Sequence, residues 1–111
     1  MIDFFLCPVK FFPSTNSIQN LATWYYPAIG ACGWLNLNSD HIVALSTIDY
    51  AGGSHCGRMI RVSHKEKSVD VRVVDLCPGC QGAHGIDLSP GAFQALSTLP
   101  IGIVPVEWHF L

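Results

Sequence analysis

Apolar and polar residues alternate strictly from Val69 to Val73, with Asp70 and Arg72 between the valines. This is the period-2 signature of a strand with one buried face, and the pattern predicts a strand running into Asp75. Pro78, Gly79, Gly82 and Gly85 follow. Residues lacking an amide hydrogen or a side chain cannot sustain a ladder, so a loop is expected from there to Asp87. Ser89-Pro90 then supplies an N-cap hydroxyl and a proline at the first helical position, predicting a short helix to about Leu96. Met59 to Val62 pairs naturally with Val69 to Val74 as a hairpin across the charged turn His64-Lys-Glu-Lys67.

Upstream, the aromatic-rich stretch Leu21 to Tyr26 suits a strand, broken by Pro27, Gly30 and Gly33. Ile42 to Leu45 reads as a short apolar strand, and Asp49 to Gly57 as a loop. In the last segment Val104, Val106, Trp108 and Phe110 share one face, with Glu107 and His109 on the other. Short strands at close spacing with glycine-rich connections and one brief helix predict a small all-β barrel.

Composition narrows the picture. With 111 residues, 50% of them hydrophobic and 13% charged, the chain has room for one modest core, and its composition is that of a compact fold rather than a disordered chain. A net charge of −2 and the absence of a basic cluster argue against nucleic acid or an anionic membrane as partner. No apolar run approaches the ~20 residues that a membrane span requires. Residues 1–20, with Phe4-Phe5-Leu6 and Phe11-Phe12 around Lys10 and interrupted by Pro8 and Pro13, read as a leader remnant or a disordered arm ahead of a domain spanning 21–111. An N-terminal strand is the other reading of that stretch.

Five cysteines in so short a chain point to an oxidising compartment and secretion, with Cys7 as the odd one out. Cys77-x2-Cys80 with His84 is also half of a zinc site, but no second close-spaced pair completes it. A thioredoxin-like role would need a helix directly after Cys77, which Gly82 and Gly85 oppose. No cofactor or metal is expected.

Five motifs in order carry a resemblance: Thr23-Trp-Tyr-Tyr, Gly30-Ala-Cys-Gly33, Cys56-Gly57, Val74-Asp75-Leu-Cys77-Pro-Gly-Cys80, and Ile86-Asp87-Leu-Ser89-Pro with Phe93. Together they resemble the double-psi β-barrel of the expansin superfamily, and most of all its small secreted fungal members, the loosenins and rare-lipoprotein-A-like proteins. The resemblance implies a six-stranded pseudo-symmetric barrel with one or two short helices and an open groove across one face. It also implies disulfides Cys32–Cys56 and Cys77–Cys80.

Asp87 is similar in position to the general acid of the related family-45 endoglucanases, and Asp75 to a second polar groove residue. Thr23 and Tyr25 sit where the family lines the groove. The endoglucanase base would fall at Pro27, so the pattern has the acid without the base that inverting hydrolysis requires. An ordinary structural role for Asp87 is a carboxylate near the dipole of the helix after Ser89. Sugar rings stack on aromatic faces, which makes Tyr25, Trp34 and Tyr50 the candidate platform, with Trp24 and Tyr26 on the opposite, buried face of the strand. Trp108 is expected in the core, and His55 and His84 as solvated loop residues.

Three functions are compatible with this pattern. The first is a monomer that binds cell-wall polysaccharide (cellulose, chitin, β-glucan or peptidoglycan) and loosens it without hydrolysis. The second is a barwin-like effector, defence protein or protease inhibitor that binds a protein through the loops Gly52–Cys56 and Gly79–Gly85. The third is lytic transglycosylation, which can proceed with one aspartate.

Overall fold

The computed structural model describes residues 18–80 and 82–111. The readings placed on residues 1–17, including Cys7, lie outside them. Among the described residues six strands form the fold: β1 (Ile18–Trp24), β2 (Ile42–Leu45), β3 (Met59–His64), β4 (Lys67–Leu76), β5 (Ile86–Leu88) and β6 (Val104–Phe110). Two short helices accompany them, α1 (Thr47–Tyr50) and α2 (Pro90–Gln94). The strands close into a barrel in the order β1-β5-β2-β4-β3-β6, with β6 returning to β1. Two of the pairings are parallel, β1 with β5 and β2 with β4, and the rest are antiparallel.

Local chemistry explains most elements. The hairpin β3–β4 joins Ile60 to Val71 and Val62 to Val69, so its alternating apolar residues all point inward. Ser89 caps α2 by accepting from the Ala92 amide, and Pro90 occupies the first turn. Ser46 caps α1 in the same way for Asp49, giving a helical turn that runs into the stretch read as a loop from Asp49. The core is built from Ala22, Val43, Leu45, Ile60, Val62, Val71, Val73, Ile86, Leu88, Phe93 and Trp108, all at most 1% exposed. The Trp108 indole donates to the His84 carbonyl at 3.0 Å, which satisfies its one polar atom inside the barrel.

Two expectations are corrected. The first strand begins at Ile18 rather than Leu21, because Ile18, Gln19 and Asn20 pair with Trp108, Glu107 and Val106 of β6. Tyr26 is not on a buried face with Trp24. The strand ends at Trp24, alternation lapses, and Tyr26 stands 68% exposed with its ring edge-on to Trp24. Among the described residues no helix is long and apolar enough to cross a membrane.

One irregularity positions the second carboxylate. Val69, Val71 and Val73 face the core, and simple alternation would send Asp75 after them. The ladder between β2 and β4 shifts between Val43 and Ala44, so that Val43 faces Val73 while Ala44 faces Asp75. Val74 is therefore an extra residue, a β-bulge, and it turns Asp75 onto the outer face.

Candidate functional site

Four neighbouring strands bring the candidate residues into one row. Thr23 on β1 faces Asp87 on β5, Asp87 faces Ala44 on β2, and Ala44 faces Asp75 on β4. Ile86 and Leu88 are buried on either side of Asp87, so its carboxylate points away from the core. The two aspartates are two strand spacings apart, roughly 10 Å between Cα atoms, and only the Ala44 methyl lies between them.

Each carboxylate has a different environment. Asp87 accepts one hydrogen bond, from the Thr23 hydroxyl at 2.8 Å. Burial raises its pKa, the Thr23 bond pulls it down, and the charge of Asp75 raises it further, for a net rise. Asp75 is more heavily occupied. Its Oδ1 accepts from the Ala31 amide at 2.7 Å and from its neighbour Leu76 at 2.8 Å, and its Oδ2 from the Tyr25 hydroxyl at 3.1 Å. Burial, the Asp75 charge, the hydrogen bond to it and the Asp87 charge all push the Tyr25 pKa far above the ordinary phenol range. Tyr25 therefore stays protonated and remains a donor.

The segment between β1 and β2 lies directly on the bulge. The Cys32 amide donates to the Val74 carbonyl at 3.1 Å, and Ala31 reaches Asp75. Gly30 makes this approach possible: a Cβ there would lie 2.5 Å from the Val74 oxygen and 3.1 Å from the Asp75 side chain. The segment is stapled by the disulfide Cys32–Cys56, and Cys77–Cys80 closes a second, short loop immediately after β4. All four sulfurs expected in disulfides are thus bonded, and Cys77 and Cys80 are not thiolate ligands. Among the described residues no group of three potential ligands gathers for a metal ion.

The remaining candidates are placed unequally. Trp34 is 45% exposed on the same segment, its ring lying over Gly57, where a Cβ would come within 3.4 Å. Tyr50 is half-buried and packs against the core. Its hydroxyl stands 3.7 Å from Cys56 Sγ, and as the disulfide sulfur has no hydrogen, Tyr50 is the donor. The structure thus brings Thr23, Tyr25, Asp75 and Asp87 together, adds Trp34 on the adjoining segment, and directs Tyr50 to the disulfide. His84 is not a free loop residue, because its Nδ1 lies 2.8 Å from Asp49. His55 stacks on Phe110 with ring centroids 4.6 Å apart.

Sequence reasoning missed the backbone amides of Ala31 and Leu76 and the Tyr25–Asp75 bond. The signal for the first was Gly30 in front of Ala31; nothing in the one-dimensional pattern announced the others. It also missed Tyr26 as an exposed ring.

Residues 18–108 match the family model described as lytic transglycolase, a double-psi β-barrel domain. The chain belongs to this double-psi β-barrel family. Its barrel and motifs are those of the expansin superfamily. Kiwellin from Actinidia chinensis var. chinensis is 39% identical over 85 residues, which covers 64% of this chain and 40% of kiwellin. A mutant expansin from Clavibacter michiganensis, solved in complex with cellohexaose, superposes with a TM-score of 0.77 at 29% identity, over 86% of this chain and 50% of that one. The Streptomyces papain inhibitor superposes with a TM-score of 0.76 at 28% identity, over 91% of this chain and 99% of the inhibitor. The chain spans about two-fifths of the length of the first curated relatives it matches, 40% for kiwellin.

Proposed function

We propose that this protein is a secreted monomer that binds a cell-wall polysaccharide across the row Thr23–Asp87–Ala44–Asp75 and loosens it without hydrolysis. The observation that carries the reading is the unequal treatment of the two carboxylates. Asp87, with one hydrogen bond and a raised pKa, is left to engage a sugar hydroxyl or glycosidic oxygen. Asp75 accepts from Tyr25, Ala31 and Leu76 and lies beneath Gly30. It is a poor candidate for activating a water, and Pro27 offers no replacement. Inverting hydrolysis needs both an acid and a free base.

The match to an expansin that binds cellohexaose supports a glucan as the polymer. Trp34, with Tyr26 beyond the end of β1, supplies exposed rings on which sugars stack. Two disulfides suit the oxidising exterior of a cell. The test is to incubate the oxidised protein with cellulose, chitin and peptidoglycan and to measure retention and reducing-end release together. Retention without new ends is expected on one polymer. New reducing ends, or anhydro ends left by transglycosylation, would overturn the non-hydrolytic reading.

A second reading has its own observation. Ile29 and Leu35 face each other in an antiparallel bridge, and Leu37 follows two residues later. They are 73%, 69% and 62% exposed. No acidic or basic residue occurs from Phe11 to Ser39. Aliphatic side chains offer a sugar no π face, whereas a protein surface would bury them. A relative from Streptomyces mobaraensis, 34% identical over 90 residues, is named papain inhibitor, so papain is the probe. Inhibition of papain that is lost in Ile29→Asn with Leu35→Asn would favour this reading. Unchanged papain activity at saturating protein counts against it.

A further inference from the structure

A cleft of about 480 Å³ opens far from the carboxylate row, between the β3–β4 connection and the segment after α2. One wall runs from His64 to Lys67 and the other from Leu96 to Thr98. Lys67 begins β4 and Asp75 lies near its end, eight residues on, so the cleft and the row are roughly 27 Å apart along the strand. Its volume is that of a small-ligand site rather than of a polymer groove.

The lining is chemically mixed in a way that selects a ligand. Among the described residues neither Lys65 nor Lys67 has a carboxylate within ion-pair distance, so two ammonium groups stand without a counter-charge. His64 is held in place: its Nδ1 lies 2.7 Å from the Pro105 carbonyl. A carbonyl only accepts, so Nδ1 carries the hydrogen and Nε2 is left for a ligand. Ser97 and Thr98 add two hydroxyls, Leu96 forms an apolar floor at 2% exposure, and Glu66 adds one carboxylate.

We propose that this cleft binds a carboxylated sugar of one or two rings, such as a uronate unit of an acidic polysaccharide. Lys65 and Lys67 take the sugar carboxylate. Glu66, which would repel a compact dianion, instead accepts hydrogen bonds from ring hydroxyls beside that single negative charge. Ser97, Thr98 and His64 Nε2 complete the polar contacts, and the C–H face of the ring rests over Leu96. The two lysines exceed Glu66 by one charge, which matches one sugar carboxylate held in the cleft, so the second carboxylate of a two-ring uronate stays in solvent. The site is independent of the carboxylate row, so either can fail without the other.

The test titrates the whole protein with digalacturonate, and in parallel with cellobiose and with inorganic phosphate, following backbone amide shifts. Digalacturonate is expected to move the amides of residues 64–67 and 96–98. It is expected to bind at least ten-fold more weakly to the combined variant Lys65→Gln with Lys67→Gln, and equally well to Asp87→Asn. Cellobiose and phosphate are expected to leave the cleft amides unmoved. Phosphate binding as tightly as digalacturonate, equal binding of cellobiose there, or unchanged affinity in the lysine variant would each overturn the proposal. An unchanged melting temperature in that variant shows that its fold is intact.

Discussion

Tyr25 and Asp75 are bonded hydroxyl to carboxylate at 3.1 Å, linking the residue just beyond β1 to the end of β4. The contact spans 50 residues of sequence and fastens the start of the β1–β2 segment to the bulge beneath it. With the amides of Ala31 and Leu76 on the other oxygen, it makes Asp75 an anchor for that segment.

Tyr25→Phe removes the hydroxyl and keeps the ring. One charge-assisted hydrogen bond is lost from a half-buried carboxylate that keeps two others, so the expected cost is about 1–2 kcal/mol in denaturant unfolding. Faster hydrogen exchange at the Ala31 and Cys32 amides should accompany it. An unchanged midpoint with unchanged exchange would show that Tyr25 does not hold the segment down.

Gly30→Ala tests the same contact from above. The added Cβ meets the Val74 oxygen at 2.5 Å, and that atom belongs to backbone already bonded to Cys32. Neither side can yield by rotating a side chain, so a loss of roughly 1–3 kcal/mol is expected, as for overpacking elsewhere. Polysaccharide retention should fall with it, because Ala31 is displaced from Asp75. A variant as stable as the parent would mean that the segment moves freely.

How much of this was legible in the chain depends on how local the cause is. The alternating valines of β4, the Ser89-Pro90 start of α2 and the inward face of β6 are written in neighbouring residues, and they could be read directly. The parallel pairs β1–β5 and β2–β4 are not, since nothing in Leu21 to Tyr26 names Ile86 to Leu88 as its partner. The motif resemblance implied a six-stranded pseudo-symmetric barrel but named neither of these pairs. The bulge at Val74 is also silent: Val73-Val74-Asp75 looks like the end of a plain strand, and only the register with Ala44 shows the extra residue. Tyr26 was misjudged because alternation was carried two residues past the last ladder bond. The pairing of His84 with Asp49 depends on α1, a helical turn too short to show any periodicity.

The disulfides should contribute unequally. Cys32–Cys56 closes a loop with a sequence separation of 24, and the chain-entropy relation gives about 3.5 kcal/mol for it. Cys77–Cys80, with a separation of 3, gives about 2 kcal/mol at most by the same relation. Replacing the first pair by serines should therefore lower the unfolding free energy by the larger amount and loosen Trp34 against Gly57. Equal losses for the two pairs would point to native-state packing rather than chain entropy as the source.

Asp87→Asn separates function from stability through pH. Asp87 titrates above its ordinary value in the folded protein, chiefly because burial disfavours its charged form. A carboxyl group with a raised folded pKa stabilises the fold fully below its unfolded pKa, near about 3.9. That contribution is lost as pH rises from there through the folded pKa, because the folded state must then carry a poorly solvated charge. Asparagine carries no charge and keeps an oxygen that the Thr23 hydroxyl can reach. At neutral pH the variant should therefore be at least as stable as the parent. The stability difference, variant minus parent, should grow with pH across that window and then level off. Polymer loosening should be abolished while the melting temperature holds. A variant that melts well below the parent at pH 7 and still loosens the polymer would make Asp87 a structural carboxylate, and the proposed groove would lose its central residue.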